Sequence, residues 1–262
     1  MGHQRTGPLP QTRKWNDVVG LLAAGAGASQ LATAVLCAAE RGLRGAFEDA
    51  GVVETVWLLA RLPLAARSDD FRLTLERCGV NVPERPGLMD LVGAVSEAID
   101  AKMPNNRGRT DIGEMAQTCA AETLVHVVGG RLNNLFDTAP EDVRREVAKL
   151  ATVKQFGSFA RDFFSRFLRK CLNYFVSKML PGQTGEGRRF RTVADQGRFS
   201  DALDVHCREA SGIVEVVAGE WLSKHNHLTA GALGRDTTAS FVAGAMNKLI
   251  DELKLRTGGH GN

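Results

Sequence analysis

At 262 residues, with 44% hydrophobic and 24% charged side chains, the chain can bury a core as one large domain or two small ones, which excludes a disordered tail. The formal charge of +3 hides a sorting: residues 144–198 hold thirteen Lys/Arg against four acids, a local excess of +9 that leaves the remainder at −6. Five widely spaced cysteines (Cys37, Cys78, Cys119, Cys171, Cys207) form no C-x-x-C pair and read as reduced, mostly buried thiols of a cytoplasmic protein.

Arg outnumbers Lys by 24 to 9 amid abundant Ala and Gly, a bias expected of a GC-rich bacterial genome. Codon bias does not move acids away from bases, so the clustering stands on its own.

Residues 1–11, with two prolines and two glycines, read as a flexible arm. From Val18 to Ala39 no charge occurs for 22 positions, long enough to span a bilayer, and Arg13 and Lys14 precede the run. Three glycines, Ser29, Gln30, Thr33 and a high Ala content argue instead for one buried core helix from Asn16 or Asp17 to about Arg44. Association with a membrane through 18–39 is the alternative. A second helix is expected over Val52–Leu62, ended by Pro63. Ser68, Asp69 and Asp70 open a short one that closes near Gly79. Leu88, Leu91, Val92, Val95, Ala98 and Ile99 then recur at helical spacing to about Lys102.

Pro104–Arg109 is the best boundary between an Ala-rich helical half (12–104) and a second helical half (110–256). Thr110 or Asp111 caps a helix to Val128. Thr138, Pro140 and Glu141 spell a capped start in which Glu141 returns a hydrogen bond to Thr138. That helix runs to Lys149 and on to Leu180, with a break near Gly157. After a Gly-rich loop, Ser200 and Asp201 open a long helix to Lys224, and a last one covers Thr237–Arg256 before a disordered tail at 257–262. Alternating runs and hairpin turns are missing, so the expected fold is all-α: a globular bundle of about eight to ten helices without significant sheet.

Half of the twelve phenylalanines lie between Phe156 and Phe175. At 100° per residue they share an arc with Ala160, Leu168, Cys171 and Leu172, opposite Ser158, Asp162, Ser165, Arg166 and Arg169. Core packing is the reading, because rings that stack on bases sit among polar neighbours. The candidate binding residues are therefore the cations outside that core: Arg161, Arg166, Arg169 and Lys170, then Arg188, Arg189 and Arg191 in the loop. Guanidinium matches phosphate and carboxylate with a planar fork of donors. The same cations can instead pair with acids from the −6 remainder.

Enzyme motifs fail residue by residue. Gly182 to Gly187 has P-loop spacing, but Arg188 and Arg189 stand where Lys and Ser/Thr are needed. Asp201, Asp204, His206 and His225 are the best metal-dependent alternative, yet their spacing does not put them on one helix face, and Glu122 or His126 would have to complete them. No catalytic residue, cofactor or metal site is assigned. The expected function is a non-catalytic helical subunit or adaptor of a larger bacterial assembly, of the sort found in operons for mobile-element or phage defence. Its basic surface at 144–198 is expected to contact nucleic acid or an acidic protein.

Overall fold

The computed structural model describes residues 12–103, 110–132, 138–227 and 233–258. Among them lie eleven α-helices, two short 3-10 turns and a bridge between Thr184 and Phe190. The fold is all-α. The expected arm at 1–11 and loop at 104–109 fall outside the described residues.

The charge-free N-terminal run is not one helix. It is a hairpin of α1 (Arg13–Ala23) and α2 (Ala28–Phe47). Gly25 turns the chain with φ +84°, its N–H donating to Leu22 O while that of Ala26 donates to Leu21 O. This paired capping needs a left-handed residue after the helix, and glycine takes that conformation without a Cβ penalty. Each helix then buries one stripe: Trp15, Val18 and Leu22 on α1, and Leu31, Ala32, Val35, Leu36 and Ala39 on α2. Among the described residues no helix is long and apolar enough to cross a membrane.

The helix buried on nearly every side is α3 (Ala50–Ala66), opened by Asp49, whose carboxylate accepts from the amides of Gly51 and Val52. It packs against α4 (Phe71–Glu76), α5 (Leu88–Lys102), α6 (Asp111–Val127), α7 (Pro140–Lys149) and α11 (Arg235–Gly258), and so links both sides of residues 104–109 in one core. Pro63 does not end α3, which continues to Ala66 with Pro63 inside it. Burial of the last turn between neighbouring helices outweighs the lost backbone bond. Glu54 is 3% exposed within this apolar helix. Arg235 answers it from α11 through two nitrogens and lies 3.8 Å over the ring of Trp57, whose indole N–H donates to Leu233 O at 2.9 Å.

In the second half, Ala139 occupies the cap position of α7 without a side-chain cap bond, and Glu141 pairs with Arg85. The break falls at 150–152, and α8 (Val153–Val176) starts at its own cap, Thr152. Gly157 sits inside α8 where α10 (Gly212–His227) crosses it. A Cβ there would lie 2.2 Å from Glu215 O, and one on Gly219 would lie 2.5 Å from Val153 O. Two glycines thus let the backbones touch, and Gly157 is a contact point instead of a break. The long helix expected over 201–224 is also two. α9 (Val193–Ala210) is opened by reciprocal bonds between Thr192 and Asp195, and it stops at buried Ser211 before α10 begins.

Five of the α8 phenylalanines (Phe156, Phe159, Phe163, Phe164, Phe167) are buried, with Phe163 stacked on Phe167. The sixth, Phe175, meets Trp15 at 5.0 Å between ring centroids. The Phe arc is core, and its opposite face is the outer wall of the bundle.

Candidate functional site: a basic surface and an arginine cleft

Because α8 buries its aromatic arc, register forces Ser158, Arg161, Asp162, Ser165, Arg166 and Arg169 onto the outward face at steps of three and four. Helix α6 supplies His126 along one side and α9 supplies Asp204 and Arg208 along the other. Together they line a cleft of about 350 Å³.

The cations of this face are not equivalent. Arg161 donates to Glu215 at 3.0 Å and to the carbonyl of Arg208. Arg166 grips Asp162 with two nitrogens, the shorter bond at 2.6 Å, and Asp162 also faces His126 Nδ1 at 3.2 Å. Arg169 donates to Asp204 at 2.8 Å, a bond that holds its guanidinium above the ordinary arginine range. Lys170 lies outside the cleft and donates to Glu122 at 2.8 Å. Four of the seven candidate cations are therefore held by carboxylates from α6, α8, α9 and α10, and three of those four helices lie wholly or largely outside residues 144–198. Arg208 lines the cleft, is exposed, and makes no side-chain hydrogen bond or ion pair among the described residues.

The loop cations divide as well. After a 3-10 turn at Leu180–Gln183 the chain folds back on itself: Gly185 N–H donates to Phe190 O at 2.8 Å, and Phe190 N–H to Gln183 O at 2.9 Å. Gly185 and Gly187 take φ of +127° and +70°. The amides of Gly185 and Arg188 are spent on loop carbonyls and are not turned toward a phosphate. Arg189 turns inward, donating to Leu22 O at 3.0 Å and to Ala26 O, with its guanidinium about 5 Å above the rings of Phe190 and Phe199. Burial lowers its pKa. It caps the C-terminus of α1 and belongs to the fold. Arg188 and Arg191 are exposed and make no side-chain hydrogen bond or ion pair among the described residues.

The metal-dependent alternative is dispersed. Asp204 is taken by Arg169, His206 is buried, and Asp201 is exposed on α9. His225 binds Trp221 O through Nδ1 and lines a separate cleft with Arg61. Among the described residues no three His, Cys, Asp or Glu side chains gather to hold a metal ion.

Arg208 was not among the candidates from sequence. Its signal, a cation on a helix bearing Asp204, was present, but its place across from Ser158 and Arg161 depends on how α9 docks. Compared with protein-family models, with curated proteins and with solved structures, the chain matches none.

Proposed function

We propose that the chain is a non-catalytic helical subunit or adaptor that engages an acidic protein partner through Arg188, Arg191 and Arg208. The observation that supports this is the division of the basic surface into committed and uncommitted cations. Arg161, Arg166, Arg169 and Lys170 hold the chain's own carboxylates, and Arg189 caps a helix. Arg188 and Arg191 in the loop and Arg208 in the cleft are exposed without side-chain partners among the described residues.

Nucleic-acid backbones favour many unpaired cations, because each neutralised phosphate releases a condensed counterion. Three such contacts to a single strand correspond to a slope of only about −2 in log K against log salt. A protein partner needs fewer charges, since its carboxylates are placed individually and its rim contacts steer association.

The test is fluorescence anisotropy of four labelled probes at low and moderate salt: an acidic peptide, single-stranded RNA, single-stranded DNA and duplex DNA. Saturable binding of the peptide, with nucleic acids weaker and shallow in their salt dependence, supports the reading. Tighter nucleic-acid binding with a single-strand slope of about −4 or steeper overturns it, because that slope requires roughly six phosphate contacts.

A further inference from the structure

We infer that the arginine cleft on α8 is a receptor for a phosphate monoester, carried either on a partner's side chain or on a free small molecule. This inference rests on the proposed role of the basic surface and names the group that the cleft accepts.

Four guanidiniums (Arg161, Arg166, Arg169, Arg208) and two hydroxyls (Ser158, Ser165) line the same recess, against the two carboxylates of Asp162 and Asp204. Glu215 compensates Arg161 from behind the lining, so the charge left over is that of Arg208. The ion pairs do not exhaust the paired guanidiniums. Arg169 contacts Asp204 through Nη1 alone, while a guanidinium carries five N–H donors. The pairs fix the orientation of the side chains, so little rotamer entropy remains to be lost when a ligand arrives.

Donors approach from two helices, and the hydroxyls of Ser158 and Ser165 stand among them. That arrangement suits a tetrahedral group with three terminal oxygens and nearly two negative charges better than a planar carboxylate with two. No Phe, Tyr or Trp lines the cleft, so nothing there stacks on a nucleobase.

Isothermal titration calorimetry on the full chain tests this with a phosphoserine peptide of neutral flanks, its unphosphorylated and Ser→Asp twins, glycerol 3-phosphate and sulfate. The expected result is saturable binding of the phosphoserine peptide or glycerol 3-phosphate, or both, above all the other probes. Arg208→Ala is expected to weaken it about tenfold, the loss of one charge-assisted hydrogen bond. Because Arg208 is exposed without a side-chain partner, its removal leaves the fold intact, which an unchanged Tm verifies. Peptide binding assigns the source to a modified protein; glycerol 3-phosphate without peptide assigns it to a free phosphate compound. Binding of sulfate or the Asp twin as tight as the phosphate probes, no phosphate binding at all, or indifference to Arg208→Ala overturns the inference. Acidic-peptide binding that depends on Arg188 and Arg191 while these phosphate probes fail leaves the broader reading standing and removes only this one.

Discussion

Arg188, Arg189 and Arg191 are near-neighbours of identical chemistry, yet the structure gives the middle one a different task from the other two. Arg189 donates to the carbonyls of Leu22 and Ala26 at the α1–α2 turn and covers two rings, whereas Arg188 and Arg191 face water. Arg189→Ala is therefore expected to cost about 1–2 kcal/mol in urea unfolding, and Arg188→Ala/Arg191→Ala to stay within about 0.5 kcal/mol of wild type. A triple replacement of all three would mix a folding defect with a binding defect. Glu54 shows the same dependence on context. Removing Arg235 leaves its carboxylate buried and unpaired, so Arg235→Ala is expected to destabilise by about 3 kcal/mol, with Glu54→Gln recovering part of the loss in the double variant. Equal stability of Arg235→Ala and wild type contradicts that role. The sequence displays Glu54 as a lone acid in an apolar helix, which signals a buried partner, but nothing local points 181 residues ahead to Arg235.

Elements were legible where caps and periodicity agree. Asp70 opens α4, Gly79 closes it in the left-handed conformation, and Thr110 opens α6, each as local chemistry dictates. The misreadings share a cause: Gly and Pro punctuate a chain only when tertiary contacts permit. Gly25 breaks the apolar run because its paired amides close α1, while Gly157 continues a helix because another backbone lies against it. Ser200 and Asp201 looked like a start, but the reciprocal bonds of Thr192 and Asp195 open α9 a full two turns earlier. Those bonds, led by the Thr192 hydroxyl, hold Asp195 below the ordinary carboxylate range. A depressed folded value means that this support is present above the unfolded pKa and is lost as pH falls through the folded one. At the α8–α10 crossing, Gly157→Ala gains helix propensity but drives a methyl into Glu215 O. A net loss of about 2 kcal/mol or more is expected in urea unfolding. A stabilised variant would show that the crossing has room to spare.

For the whole molecule, the +9 stretch and the −6 remainder are complementary parts of one bundle. Carboxylates on α6, α9 and α10 meet three cations of α8, so part of the sorting visible in sequence is consumed inside the fold. Charge counting found the surface. It could not find which cations were spent, because that depends on which helices flank α8. The same packing brings Cys119, Cys171 and Cys207 into the core, where burial raises the thiols of Cys119 and Cys207 to about 12 and that of Cys171 as well. Folded values above the ordinary 9.0 leave their contribution intact below pH 9 and remove it as pH rises toward 12. At pH 8 a thiol reagent is expected to modify half-buried Cys37 in the native protein and to reach the other four only on unfolding. Rapid native modification of all five contradicts the packing.

The division of the cations is tested most directly by binding of a labelled acidic peptide, measured by anisotropy at low salt for three proteins. They are wild type, Arg188→Ala/Arg191→Ala/Arg208→Ala, and Arg166→Gln/Lys170→Gln, each checked for an intact thermal transition. The account predicts that the triple variant loses binding by at least about a hundredfold, at roughly 1 kcal/mol or more per removed charge, while the paired-cation variant stays within about twofold. Loss confined to Arg166→Gln/Lys170→Gln, or no peptide binding by wild type, contradicts it.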